Sequence, residues 1–320
     1  MLTAAAIVAG LALLYLGGEM LVRGSVAVAA SLGLSPLLIG ITLVGFGTSA
    51  PELVTSIDAA LRGSPGIAIG NVVGSNIANI LLILGIAMAI APIVCTPRVF
   101  ARDVAAVAVS GFVIVGLAAA GSVGRIAGVV LLAALAAYLA LVYFQERLDG
   151  TVSAAVHEQT AAELPPAAPS FWLNFLLAAV GVAALVFGAH VLVDGSIELA
   201  RFLGIPDTIV GLTVVAVGTS LPELAAAISA AFRRQGDLVL GNILGSSIFN
   251  AFGILGATAV ISPLDVPPQI FGFDAWVLLA TTLLLAVFAL TGRCLARSEG
   301  VIMVLIYAAY VGYLAAGAVA

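Results

Sequence analysis

The residues of this chain best suited to chemistry are two glutamates set inside long apolar runs. Glu52 ends the segment Gly47-Thr48-Ser49-Ala50-Pro51-Glu52, and Glu223 ends Gly218-Thr219-Ser220-Leu221-Pro222-Glu223. A carboxylate in the middle of a membrane span costs a few kcal/mol or more, so it faces an internal cavity and marks an ion or proton path. Thr48 and Ser49 precede Glu52 by four and three residues, which puts two hydroxyls and a carboxylate on one face if the turn is helical. Gly45, Gly47 and Pro51 interrupt the helix there, because proline removes a backbone donor and obstructs the preceding turn while glycine loosens it. Carbonyls freed in this way are tolerable in lipid only where they meet protein, water or an ion.

A second motif follows each glutamate. Gly70-Asn71-Val72-Val73-Gly74-Ser75-Asn76-Ile77-Ala78-Asn79 sets Asn71, Ser75 and Asn79 four residues apart as a polar stripe on an apolar span. Alone, such a stripe beside Gly70 and Gly74 is explained by hydrogen bonding and close packing between membrane helices. It recurs, however, as Gly241-Asn242-Ile243-Leu244-Gly245-Ser246-Ser247-Ile248-Phe249-Asn250. The offset of 171 residues between Glu52 and Glu223 also separates Asn79 from Asn250, and the match runs ungapped from Leu14 with Leu185 to Gly85 with Gly256. This is an internal duplication. Thr55, Ser56 and Asp58 become Ala226, Ala227 and Ser229, so Asp58 falls outside the shared site. Glu19, four residues before Arg23, reads as a local ion pair, and its counterpart His190 as a residue with a local hydrogen bond.

The elements that must position these residues are membrane helices. Of 320 residues, 63% are hydrophobic and 8% charged, against roughly 25% charged in an ordinary soluble domain. The composition predicts an all-α polytopic membrane protein. Apolar runs able to cross a hydrocarbon core of roughly 30 Å predict about ten helices. They fall near 3–22, 35–61, 67–91, 103–120, 125–144, 171–192, 206–232, 238–261, 274–291 and 299–318. The second and seventh are expected to be broken at the midplane. The fourth, fifth, ninth and tenth show no paired polar constellation and read as scaffold, with Gly111, Gly116 and Gly128 as packing positions. Residues 1–144 and 171–320 then form two five-helix repeats joined by a polar linker over 145–170. An odd number of spans inverts the second repeat. Eight arginines on the linker side against three on the other place the linker in the cytoplasm and both termini outside.

A net charge of −5 with no basic stripe argues against a nucleic-acid partner. Cys95 and Cys294 have no neighbouring ligand pattern and are expected as free thiols. No His-Glu-Xaa-Xaa-His, Gly-Xaa-Ser-Xaa-Gly or intramembrane aspartate dyad supports an enzyme, and no cofactor motif or protein partner is suggested. Inverted repeats with broken helices are the architecture of secondary transporters rather than of channels. Hard cations such as Ca²⁺ take six to eight oxygens, and no soft ligand repeats here.

The paired Gly-Thr-Ser-Xaa-Pro-Glu and Gly-Asn-Xaa-Xaa-Gly-Ser-Xaa-Xaa-Xaa-Asn segments resemble the α-repeats of the sodium/calcium exchangers, of prokaryotic type, in the calcium/cation antiporter superfamily. The resemblance implies exchange of Ca²⁺ for Na⁺ across a plasma membrane by sliding of the first and sixth helices against the bundle. It implies Glu52 and Glu223 as carboxylate ligands, and Thr48, Ser49, Thr219 and Ser220 as hydroxyl or carbonyl ligands. Ser75 and Ser246 would line flanking Na⁺ sites, Asn79 and Asn250 the equator, and Gly45 and Ala216 would lend main-chain carbonyls. Some relatives, including K⁺-dependent ones, carry aspartate where this chain has Asn250, which points to exchange without K⁺. An H⁺-coupled antiporter is the alternative, since a buried glutamate can exchange a proton for a metal.

Overall fold

The computed structural model describes residues 2–32, 45–94, 97–149, 170–291 and 294–319. Helices dominate: α1 (Leu2–Ser31), α2 (Gly45–Gly47), α3 (Ala50–Leu61), α4 (Pro65–Ile90), α5 (Pro97–Ala119), α6 (Arg125–Asp149), α7 (Phe171–Leu203), α8 (Asp207–Thr219), α9 (Leu221–Phe232), α10 (residues 236–261), α11 (residues 270–291) and α12 (Arg297–Val319). Eight described helices are long and apolar enough to cross a membrane, or nine when α8 and α9, bent by 47°, count as one broken span. The chain is an all-α polytopic integral membrane protein. The expected second span, 35–61, is described only from Gly45, and of the expected linker residues 150–169 lie outside the described residues, as does Cys95.

Two helices outrun their expected lengths by the most. The first was expected over 3–22 but continues to Ser31, because Arg23 Nη2 sits 2.6 Å from Glu19 Oε1 and the pair neutralises the charges that suggested an end. The sixth was expected over 171–192 but runs to Leu203, where Gly204 takes a left-handed φ of 68° and stops it.

These long helices, α1 and α7, lie antiparallel along each other. Gly10, Gly17 and Gly24 are seven residues apart, as are Gly181, Gly188 and Gly195 at the repeat offset. Seven residues is close to two turns, so each set forms one stripe. A Cβ at Gly24 would lie 2.5 Å from the Ala178 nitrogen, one at Gly181 2.5 Å from the Leu21 nitrogen, and one at Gly188 2.9 Å from the Leu14 nitrogen. The two backbones are therefore in contact, and only hydrogen at these α-carbons permits it. Gly128 likewise faces the Gly256 carbonyl and Gly111 the Thr282 side chain, whereas Gly116 has nothing within 4 Å and is not a packing position.

Two short antiparallel ladders show that the repeats are inverted. β1 (Ile93–Val94) pairs with β4 (Cys294–Leu295), and β2 (Ser122–Val123) pairs with β3 (Leu264–Asp265). By the repeat, β1 corresponds to β3 and β2 to β4. The loop between α4 and α5 thus shares a face with the loop between α11 and α12, which is the counterpart of the loop on the opposite face. Repeats of the same orientation could not make these pairs. The ends are tied in the same symmetric way: Arg297 Nη2 donates to the Ile90 carbonyl at 3.0 Å, and Arg125 Nε to the Val260 carbonyl at 3.2 Å. Both arginines satisfy helix-end carbonyls that lack an intrahelical donor.

One sequence expectation needs correction. The outer helices are not purely aliphatic scaffold, since Tyr138 on α6 donates to Asp103 on α5 at 2.9 Å and Tyr310 on α12 donates to Asp274 on α11 at 2.9 Å. Asp103 and Asp274 stand at the repeat offset.

Candidate cation site

Pro51 and Pro222 occupy the first turn of α3 and α9, where the missing proline donor costs nothing, and each half-helix starts two residues before its glutamate. Glu52 and Glu223 then sit in the first turn, where the positive end of the helix dipole favours a carboxylate. Both are 0% exposed. Ser49 and Ser220 lie in the breaks before them, outside regular helix, with φ of −88° and −84°.

The breaks turn each serine toward the other repeat. Ser49 Oγ donates to Glu223 Oε1 at 2.8 Å, and Ser220 Oγ donates to Glu52 Oε1 at 2.9 Å. Thr48 and Ser49 therefore do not converge with Glu52 on one helical face as the spacing suggested. The turn is not helical, and each carboxylate is gripped from the opposite half of the chain. This crossed pair brings the two glutamates to one buried place. The second oxygen of each, Oε2, is buried without a hydrogen-bond partner, as are Thr48 Oγ1 and both polar atoms of the Asn79 and Asn250 amides. A buried polar group left unpaired costs about 1–3 kcal/mol, more when charged, so the two unpartnered carboxylate oxygens call for a ligand.

Asn71 is the residue that sequence reasoning left in the polar stripe and out of the site. Its Nδ2 donates to the Glu52 carbonyl at 3.2 Å and to Ser56 Oγ at 2.9 Å. Its Oδ1 accepts from Thr219 Oγ1 at 3.1 Å and from Ser75 Oγ at 3.4 Å. It thus joins both repeats around the break before α3. The counterpart Asn242 donates to the Glu223 carbonyl at 3.5 Å, and the Ser56 position is Ala227 there, so that half is held less firmly. The recurrence of Asn71 as Asn242 was the available signal. Ser246 Oγ reaches Glu223 Oε1 at 3.5 Å. The Ala216 carbonyl accepts from the Ser220 nitrogen at 3.2 Å, and Gly45 opens the short helix α2. Asn79 and Asn250 each lie in a π-helical turn, Ala78–Leu84 and Phe249–Ile254, a distortion common at functional sites.

Asp58 and His190 stand apart from this centre. Arg62 bonds Asp58 at 2.5 Å and also Asp194 on α7, while His190 Nδ1 lies 3.5 Å from Asp58 Oδ1. The cluster ties the end of α3 to α7. Among the described residues no three His, Cys, Asp or Glu side chains gather in one place, so the centre relies on two carboxylates and neutral oxygens.

Inverted repeats of membrane helices that bring one carboxylate from each half to a shared buried point define an ion antiporter of the secondary-transporter class. The chain belongs to the sodium/calcium exchanger protein family, whose model matches residues 2–144 and 173–316. It is 35% identical over 313 residues to the putative antiporter CaxA of Alkalimonas amylolytica, covering 96% of each chain. It is 34% identical over 332 residues to the sodium/calcium exchanger MaX1 of Methanosarcina acetivorans, covering 94% of this chain and 95% of that one. Among solved structures, the sodium-calcium exchanger NCX_Mj soaked with 10 mM Na⁺ and 10 mM Sr²⁺ matches with a TM-score of 0.64 at 32% identity, over 97% of this chain and 98% of that one.

Proposed function

We propose that the chain exchanges Ca²⁺ for Na⁺ by alternating access, with Glu52 and Glu223 sharing one Ca²⁺. The observation that carries this reading is the pair of buried, unpartnered Oε2 atoms held together by the crossed serines. Two ionised carboxylates supply −2, which balances one Ca²⁺, and the surrounding oxygens are the hard ligands that Ca²⁺ and Na⁺ prefer. In this reading Thr48, Ser49, Thr219 and Ser220 complete the centre. Ser75 with the Gly45 carbonyl and Ser246 with the Ala216 carbonyl flank it as Na⁺ positions, and Asn79 and Asn250 form the equator. Residues 1–144 and 171–320 are the two functional halves, and 145–170 is a cytoplasmic linker. The arginine distribution supports both termini outside, and the prokaryotic relatives support an inner-membrane location.

With Asn79 and Asn250 neutral, the fixed charge is −2, so the Ca²⁺-loaded carrier is neutral and one carrying three Na⁺ holds +1. Each unit charge crossing the membrane is worth about 2.3 kcal/mol per 100 mV, so three-for-one exchange responds to voltage. K⁺ is not required, because no third carboxylate balances it. The test is Ca²⁺ uptake into voltage-clamped proteoliposomes, driven by a Na⁺ gradient or by a pH gradient, with and without K⁺. Uptake driven by Na⁺, steepened by voltage and indifferent to K⁺ is expected. Uptake driven by the pH gradient in the absence of Na⁺ would replace the proposal with H⁺-coupled exchange.

A further inference from the structure

The two repeats are packed unequally around the centre. α7 lies along α3, whereas among the described residues α1 and α9, their counterparts at the repeat offset, scarcely touch. Exposure shows the same inequality: Ala50 is 8% and Thr55 0% exposed, but the matching Leu221 is 39% exposed and Ala226 is exposed too. α4 runs from the end of α3 to β1, so α3 ends on the face opposite β1, which is that of β2 and β3; by the same tracing α9 ends on the face of β1 and β4. The first face is closed by α7, and the second is left uncovered by α1. The glycine stripes hold α1 and α7 together, so the inverted repeat has a mirror arrangement in which this pair shifts as one body, α1 covering α9 and α7 leaving α3.

The closed contact carries charges that its mirror lacks. Arg62 at the end of α3 pairs with Asp58 at 2.5 Å in its own helix and reaches across to Asp194 on α7. His190 sits between the two carboxylates, 3.5 Å from Asp58 and 3.9 Å from Asp194. At the repeat offset Arg62 remains arginine as Arg233, but Asp58 becomes Ser229, His190 becomes Glu19 and Asp194 becomes Arg23. In the mirror arrangement α1 would bring Arg23 toward Arg233, and Glu19 is already paired with Arg23 at 2.6 Å. Two arginines repel where Arg62 and Asp194 attract.

We propose that Arg62 and Asp194 form a one-sided latch that holds the β2 and β3 face of the carrier shut and makes closure of that face its resting arrangement. The latch rests on the alternating-access reading above and adds which face is favoured and which residues favour it. The Asp194 side chain is 57% exposed, so the bond is screened and shifts the population by roughly two- to fivefold rather than locking it. A weak latch suits a carrier, since α7 must leave α3 in every cycle.

The test is the distance between spin labels at exposed helix ends in lipid nanodiscs, in the Cys95→Ser/Cys294→Ser background. Leu61→Cys with Leu203→Cys reports α3 against α7, and the matching Phe232→Cys with Leu32→Cys reports α9 against α1. Asp194→Asn should raise the fraction with α7 withdrawn from α3 by about two- to fivefold, with the α1 to α9 distance changing in the same fraction. Asp194→Arg, which writes the first repeat's residue into the second, should raise it further. Arg62→Glu together with Asp194→Arg should restore the original distribution. Distributions that move between Na⁺ and Ca²⁺ but not with Asp194→Asn overturn the latch and leave alternating access standing. Distributions that neither the ions nor Asp194→Asn move overturn both. A change on Asp194→Asn that the charge swap fails to reverse gives Asp194 a merely structural role and overturns the latch.

Discussion

Ser49 and Ser220 carry more of the proposed centre than their size suggests. Each spends its only hydrogen on the glutamate of the other repeat, so each fixes one carboxylate oxygen and leaves the second facing inward. Ser49→Ala or Ser220→Ala removes one hydrogen bond to a charged group, worth roughly 1.5–3 kcal/mol, and should weaken Ca²⁺ binding by about tenfold or more in titration calorimetry. Asp58→Asn should change it less than about threefold, because Asp58 bonds Arg62 and His190 and not the centre. The glutamates, hydroxyls and amides were legible in the sequence, because the repeat displays them twice at one offset. The crossing was not. Spacing shows which residues share a turn, but a broken turn aims its side chains by tertiary contact, and Ser49 is 174 residues from its partner.

At the scale of elements, the glycine stripes set how closely α1 and α7 approach. Any side chain at Gly24 or Gly181 must displace a backbone atom only 2.5 Å from the new carbon. Gly24→Val and Gly181→Val should each part the helices and abolish Ca²⁺ flux in proteoliposomes, while Gly116→Ala, in open space, should retain flux and leave the melting temperature unchanged or slightly raised. The stripes were readable as a seven-residue period in register with the duplication, which extends past the ungapped match from Leu14 and Leu185 back to Gly10 and Gly181. The pairs Asp103–Tyr138 and Asp274–Tyr310 were harder to see. The aspartates keep the offset of the glutamates, but Tyr310 lies one residue beyond the position matching Tyr138, and the alignment had ended at Gly85 and Gly256.

At the scale of the whole molecule, the two crossed ladders make the inverted repeat a single body with β1 and β4 on one face and β2 and β3 on the other. If the arginines orient it correctly, a cysteine at Ser122→Cys, in a background of Cys95→Ser and Cys294→Ser, should react with a membrane-impermeant thiol reagent in intact cells. A cysteine at Ser298→Cys should react only after permeabilisation, and the opposite pattern would reverse the orientation. The polytopic helical fold and the inversion followed from the count of apolar runs and the duplication, although among the described residues eight or nine spans stand against the ten expected. The ladders did not, since two-residue strands carry no periodicity. A single site made jointly by both halves is tested most directly by Ca²⁺ stoichiometry. Equilibrium binding to the purified protein should give one Ca²⁺ per chain, and Glu52→Gln or Glu223→Gln alone should each weaken it by roughly 100-fold or more, since each removes a direct ligand where a supporting residue alone costs 10–100-fold. Two Ca²⁺ per chain, each lost with only one of the glutamates, would mean that the halves bind separately and would contradict the shared site.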